Sequence, residues 1–386
     1  MLFPLNPHTP LCKLFQVLND ELLYFLKASI TAEFFDENLF RTFLHNENIM
    51  RSVCWSNIPT REKFQNLWNH LPIVRFEKAA LYTKILISQN IHSFFDDTSV
   101  FIPTDFDEEL HEAFKALTTH LFTKTKDIKD AITQAGETIE QHFQSFSRAN
   151  NGTMLCYLCG TSLLSQNRID LNDDKQWRAD YDHVLCKDKY PIYSVHPKNF
   201  IPTCHICNSK AKGARDLLKN NRGQRRIAFY PLPPDQRCCH GHAAMELHFS
   251  HQNEVSPVNF EEPLLSVSVT FQDATADITQ KIDVWKEVYQ VPSRVEEHVK
   301  ARFFNRIISD LAYEENNFDD FKAQLVRLSR TPPRDYKETE WRIWWYKVYQ
   351  HLASQNEEYL IWLWSLLELK QAQVSQADMQ LEFGDL

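Results

Sequence analysis

Apolar residues recur three and four positions apart through Leu11–Ala28, Arg61–Leu71, Phe76–Phe95 and Glu108–Phe146, the spacing of a single helix face. The chain from Asp107 to Arg148 is long enough for one extended helix, or for two with a break near Gly136. Asn150-Asn151-Gly152 then signals a turn. Further on, alternation in Arg226–Tyr230, Met245–Phe249 and Leu264–Phe271 predicts a small set of strands, interrupted by the Pro231-Leu232-Pro233-Pro234 loop. The helical period returns from Ile278 through Trp285–Tyr289, Arg294–Tyr313, Phe318–Leu328, Glu338–Leu352 and Glu357–Gln371. In this last region Trp341, Trp344, Trp345 and Tyr346 stand at helical spacing and are expected mostly in a core, with a partner groove as the alternative. The tail after Gln371 is polar and acidic and reads as frayed. The predicted class is α+β in four segments: a helical region over 1–149, a compact module over 150–226, a small β-containing extension over 227–277 and a helical region over 278–386. The first region serves as a packing scaffold or as a docking surface, and periodicity does not separate the two.

Composition fits that picture. A chain of 386 residues that is 43% hydrophobic can bury a substantial core, and only 7 glycines leave few positions for left-handed turns. The most apolar late stretch, Leu360–Leu369, is too short to span a bilayer and carries Glu368, so no membrane segment is expected. Nine cysteines, an odd number, argue for a reducing, cytoplasmic setting over a disulfide framework. No Walker-type phosphate loop occurs, so this chain is not expected to hydrolyse nucleotides itself.

Charge adds a contrast. The net charge is −9, yet Lys175–Arg226 holds 12 Lys/Arg against 4 Asp/Glu. A basic stripe in an acidic body can engage phosphate locally while the remaining surface repels nucleic acid.

Within that stripe lies the densest chemistry. Cys156-x-x-Cys159 and Cys204-x-x-Cys207 form two matched knuckles, the sulfur donor set of a closed tetrahedral Zn²⁺ site whose role is structural. Between them stand Asp182-His183 and Asn199, and Asn208 follows the last cysteine. An adjacent carboxylate and imidazole can hold a harder cation and activate water beside it.

The runs Cys156-Tyr-Leu-Cys159, Tyr181-Asp182-His183-Val184-Leu185, Asn199-Phe200-Ile201-Pro202 and Cys204-His-Ile-Cys207-Asn208-Ser-Lys210 resemble the HNH endonuclease family over roughly residues 150–220. Asp182-His183 through Lys189-Tyr190-Pro191 is similar to a DHxLPKxKYP variant of bacterial HNH proteins, with Cys186 where that variant has proline. The resemblance implies a treble-clef-like ββα-metal module with a zinc ion held by the four knuckle cysteines. It also implies DNA cleavage leaving 5′-phosphate and 3′-hydroxyl ends. In it His183 is the general base, Asp182 and Asn208 hold Mg²⁺ or Mn²⁺, and Asn199 braces the hairpin around His183. Lys210, Lys212 and Arg215 are expected to meet phosphate oxygens without reading sequence. The layout is similar to effector nucleases of bacterial antiphage operons, including the Septu-type pairing with an ATPase, so a protein partner with an ATPase or sensor role is expected.

Each assignment has a plainer competitor. The four cysteines can be unrelated buried thiols, His183 a satisfied core histidine, and Asn208 a helix cap. His196, ahead of Pro197 in an expected second strand, and His205, inside the second knuckle, are alternatives for the Asn208 role. Cys238-Cys239-His240-Gly241-His242, with His248 and His251, lacks ligand spacing and reads as incidental. Cys186 lacks the surroundings of a nucleophile, and Cys12 and Cys54 read as core. A zinc module that binds nucleic acid or protein without cutting, and an HNH ribonuclease, stand as alternatives for the whole.

Overall fold

A computed structural model describes residues 1–150, 152, 155–166, 177–252, 255, 261–311, 317–330 and 332–383, with side chains described to residue 373. Asn151 and Tyr313 lie outside the described residues. The chain is mainly helical with small antiparallel two-stranded pairings, an α+β protein.

Helices α1 (Lys13–Ala28), α2 (Val53–Ser56), α3 (Ile58–His70), α4 (Arg75–Ile87), α5 (Glu108–Thr123), α6 (Lys129–Ala135) and α7 (Ile139–Ala149) build the first region. The expected long helix over Asp107–Arg148 is three. Gly136 ends α6 in a left-handed conformation with φ 66°, the break anticipated there. The other break, at Lys124, has no breaker residue. It is stabilised tertiarily, because the Thr125 hydroxyl lies 3.0 Å from that of Thr60 on α3 in the core. Local chemistry sets the starts: the Asp107 carboxylate accepts from Leu110 N, and Thr138 and Gln141 close a capping box on α7. The hairpin of β1 (Thr42–His45) and β2 (Asn48–Arg51) was not anticipated. Asn46 and Glu47 turn it with positive φ at both positions.

Among its described residues the central module carries two short strand pairs, β3 (Ser165–Gln166) with β4 (Trp177–Arg178) and β5 (Tyr181–His183) with β6 (Phe200–Pro202). A π-helix over Ile206–Lys212 follows. Beyond it, Arg226–Tyr230 joins no ladder, and Ala228 N instead donates to Phe95 O. The expected strand there is a strap across the first region. The two later alternating runs pair as β7 (Ala243–Phe249) and β8 (Leu265–Phe271), which α9 (Val291–Leu311) and α11 (Arg342–Ala353) cover. Helices α8 (Ala276–Tyr289), α10 (Phe318–Arg330) and α12 (Glu357–Phe383) are the other helices of this region among the described residues. The last helix continues past Gln371, where fraying was expected.

One apolar core runs through all four segments. Phe15 of α1 stacks on Phe200 of β6 with ring centroids 3.8 Å apart, and Phe122 of α5 lies parallel to Phe200 at 5.4 Å. From the far side, α8 and α11 deliver Trp285 and Trp344, whose indole N–H groups donate to Leu158 O and Cys159 O, both at 2.9 Å. Trp344, Trp345 and Tyr346 are buried, as aromatic residues at that spacing should be. The module is thus held in a vice of helices from both ends of the chain.

Candidate metal centre and hairpin site

Cys156 and Cys159 flank a tight turn closed by Gly160 N donating to Cys156 O at 2.8 Å. Cys204 and Cys207 sit where the chain leaves β6 and enters the π-helix. All four are buried, and their Sγ atoms lie within 4.8 Å of one another, Cys159 and Cys204 at 3.9 Å. A tetrahedral Zn²⁺ with Zn–S of about 2.3 Å requires S···S edges of roughly 3.8 Å. The donor set fits zinc in number, chemistry and spacing. Polar groups already face the sulfurs: Thr161 Oγ1 donates to Cys159 Sγ at 3.2 Å and Arg294 Nη2 to Cys207 Sγ at 3.3 Å. Such outer contacts orient thiolates and offset their charge.

The two cysteine knuckles bracket the β5–β6 hairpin, whose register sets Asp182 opposite Ile201 and His183 opposite Phe200. Asn199 has no exposed surface. Its Oδ1 accepts from Leu185 N at 2.7 Å, while Nδ2 donates to Leu185 O at 3.2 Å and Tyr193 O at 2.9 Å. One amide therefore closes the loop that follows His183.

His183 is half-buried between the edges of Phe122 and Phe200, at 4.5 and 4.8 Å. Its Nε2 lies 3.2 Å from Ser194 O, and a carbonyl accepts only, so Nε2 carries the hydrogen and Nδ1 is the acceptor nitrogen. Burial, and then the Lys212 ammonium, push the imidazole down to about 3, which keeps it neutral at ordinary pH.

Asp182 is buried. Its Oδ1 accepts from Lys212 Nζ at 2.7 Å, and its Oδ2 is buried with no hydrogen-bond partner. Burial raises its carboxyl above the usual range against the opposing pull of Lys212. Lys212 also donates to His183 O and is only 2% exposed. This corrects the expectation for Lys212: it is the partner of Asp182 inside the protein, not a surface cation for phosphate. Lys210 and Arg215 are exposed, with Arg215 Nη1 donating to Glu287 O at 2.9 Å. Asn208 is half-buried on the π-helix, one turn before Lys212.

Beside the π-helix opens a cleft of about 1150 Å³. Lys189, Lys210, Arg215, Lys219 and Arg226 line it, with Lys212 in its wall. Asp216 and Glu287 temper that charge, the first beside Lys189 at 3.8 Å and the second on Arg226 at 2.6 Å. The cleft reaches Lys212 but not the His183 ring.

His196 is buried, and its Nδ1 accepts from Lys198 N at 3.1 Å to cap the turn Pro197–Asn199, so it is not in a strand. His205 is exposed. Among the described residues, Cys238, Cys239, His240, His242, His248 and His251 form no metal-like group. Cys12, Cys54 and Cys186 are buried. Sequence spacing missed a different cluster, His92, Asp96 and Asp235, assembled from distant segments. Arg237 bonds both carboxylates and Lys281 reaches Asp96 at 2.5 Å, so its charge is already balanced by the chain. No helix among the described residues is long and apolar enough to cross a membrane.

No protein-family model matches this chain, and no curated protein or solved structure matches it.

Proposed function

We propose that this chain is a zinc-stabilised HNH endonuclease that hydrolyses DNA phosphodiester bonds with Mg²⁺ or Mn²⁺. The observation that carries the proposal is the orphaned Oδ2 of Asp182, a buried carboxylate oxygen beside His183 on a hairpin clamped by four thiols. A buried acceptor with no donor is costly unless a cation or donor arrives, which is what a metal-ligand oxygen requires. The antiparallel pair β5–β6 followed by a helix is the order of elements that an HNH module has.

Asp182 Oδ2 would hold the divalent cation, with the amide oxygen of Asn208 as the second protein donor from the π-helix. When bound, the cation would relieve charge on the scissile phosphate and on the departing oxygen. The chain's own part is proton handling and placement. His183 Nδ1 would accept the proton of the attacking water, and the Ser194 O contact on the opposite ring nitrogen works against the burial and the Lys212 ammonium that depress the imidazole's basicity. Asn199 keeps that loop from moving as charge develops. Lys210 and Arg215 at the cleft would pair with flanking phosphates. An acidic chain with a local basic cleft would bind DNA weakly alone, which suits an antiphage effector delivered by a partner ATPase or sensor subunit.

Two observations favour a second reading, a zinc module that binds without cutting: the Lys212 ammonium rests on Asp182, and the ring of His183 is walled by Phe122 and Phe200. Plasmid nicking with Mg²⁺ or Mn²⁺ separates the two. The native chain should nick, and His183→Ala should cut roughly 10²–10⁴-fold more slowly, the usual worth of a general base. Equal rates would remove His183 from its role, and absence of cutting by both would favour the binding module. Duplex DNA, single strands and RNA run in parallel identify the substrate.

A further inference from the structure

We propose that Lys212 is the resident counter-cation of the Asp182 site, and that a divalent ion binds there in competition with the Lys212–Asp182 ion pair. The proposal rests on the metal-binding role given to Asp182 above and adds its regulation.

Three features lead to it. Lys212 is 2% exposed, and its ammonium sits 2.7 Å from Asp182 Oδ1. A lysine is seldom buried unless a charge requires it, and here the requirement is a carboxylate that is itself out of water. The pair is also incomplete, since Oδ2 has no partner, so a single ammonium does not saturate this carboxylate. Finally, Lys212 lies in the wall of the basic cleft, which leaves room for a displaced ammonium to turn outward.

Two cations beside one carboxylate repel each other in a medium of low polarity. Arrival of a divalent ion at Asp182 therefore weakens the hold of Lys212, and by reciprocity Lys212 weakens the hold of the ion. Without metal the ammonium keeps the buried carboxylate paired. With metal bound, the same ammonium is released toward the cleft. Lys212 acts here as a positioning residue, working through Asp182.

The test compares Mn²⁺ binding by calorimetry in EDTA-stripped, zinc-loaded full chain and in Lys212→Met and Lys212→Arg. Lys212→Met should melt lower without Mn²⁺, regain stability with it, and bind Mn²⁺ about tenfold or more tightly than the native chain, within the usual range of coupled sites. Lys212→Arg should resemble the native chain. Equal or weaker affinity in Lys212→Met overturns the competition while leaving the metal role of Asp182 standing. No Mn²⁺ binding by either chain overturns both. Acylation footprinting of the native protein keeps the test decisive if Lys212→Met does not fold. Lys212 should be protected without Mn²⁺ and labelled with it, and unchanged labelling counts against the proposal.

Discussion

Asn199 offers the sharpest test of how the hairpin is held. Asn199→Ala deletes three buried hydrogen bonds and strands their partners, chief among them Leu185 N, whose acceptor at 2.7 Å is the amide oxygen. Stranding a buried donor or acceptor costs about 1–3 kcal/mol each, and the two carbonyls keep a second lone pair, so the loss should total roughly 3–5 kcal/mol. Asn199→Asp separates geometry from size. A carboxylate can still accept from Leu185 N, but it sets a negative oxygen against Leu185 O and Tyr193 O where the amide donated. Its loss at pH 8 should match or exceed that of alanine. Near pH 5 it should partly recover, because a buried carboxyl takes up a proton and can donate again. Thermal melts at both pH values, with amide exchange at Leu185, read this directly. A Tm for Asn199→Ala within a degree of the native chain, or an Asn199→Asp loss independent of pH, would refute the bracing role.

Further outcomes follow from other sites. Stripping zinc with a strong chelator should release one equivalent of zinc and unfold the knuckles, with faster exchange around Trp285 and Trp344, which hang on Leu158 O and Cys159 O; unchanged exchange would separate the ion from the fold. Gly160→Ala should destabilise by roughly 1–3 kcal/mol, since its φ is +66° and an added Cβ would meet Leu2 Cδ2 at 2.8 Å; a neutral melt would contradict the close approach. Glu21 is buried with Oε2 unpartnered, and burial raises its carboxyl to about 7. Its folded value lies above the unfolded one of about 4.3, so the native chain is favoured fully below that and loses stability as pH rises to about 7. Glu21→Gln should therefore match the native chain near pH 4 and exceed it above pH 7, by on the order of 3 kcal/mol; parallel stability profiles would show that Glu21 does not titrate between folded and unfolded chains.

Much of the fold was legible because it rests on local rules. The periodicity over Leu11–Ala28 and the break at Gly136 appear in the structure, since a helix face and a left-handed residue are properties of short stretches. The hairpin Thr42–Arg51 was missed because its turn uses Asn46-Glu47 in place of glycine; an asparagine between two apolar pairs was the available signal. The helix break at Lys124 is stabilised by Thr60, 65 residues before Thr125, and leaves no local mark.

At the candidate site, the residue types and the paired cysteine spacing are properties of the sequence alone, because a metal's appetite for sulfur, oxygen or imidazole depends on the donor and not on the fold. Which donors face one another is different. Lys212 follows Lys210 in the same basic run, yet one is buried on Asp182 and the other is in water. Nothing in their chemistry distinguishes them. The packing of the π-helix on β5 does, because desolvation and ion pairing depend on distances between atoms that sequence separates by 30 residues.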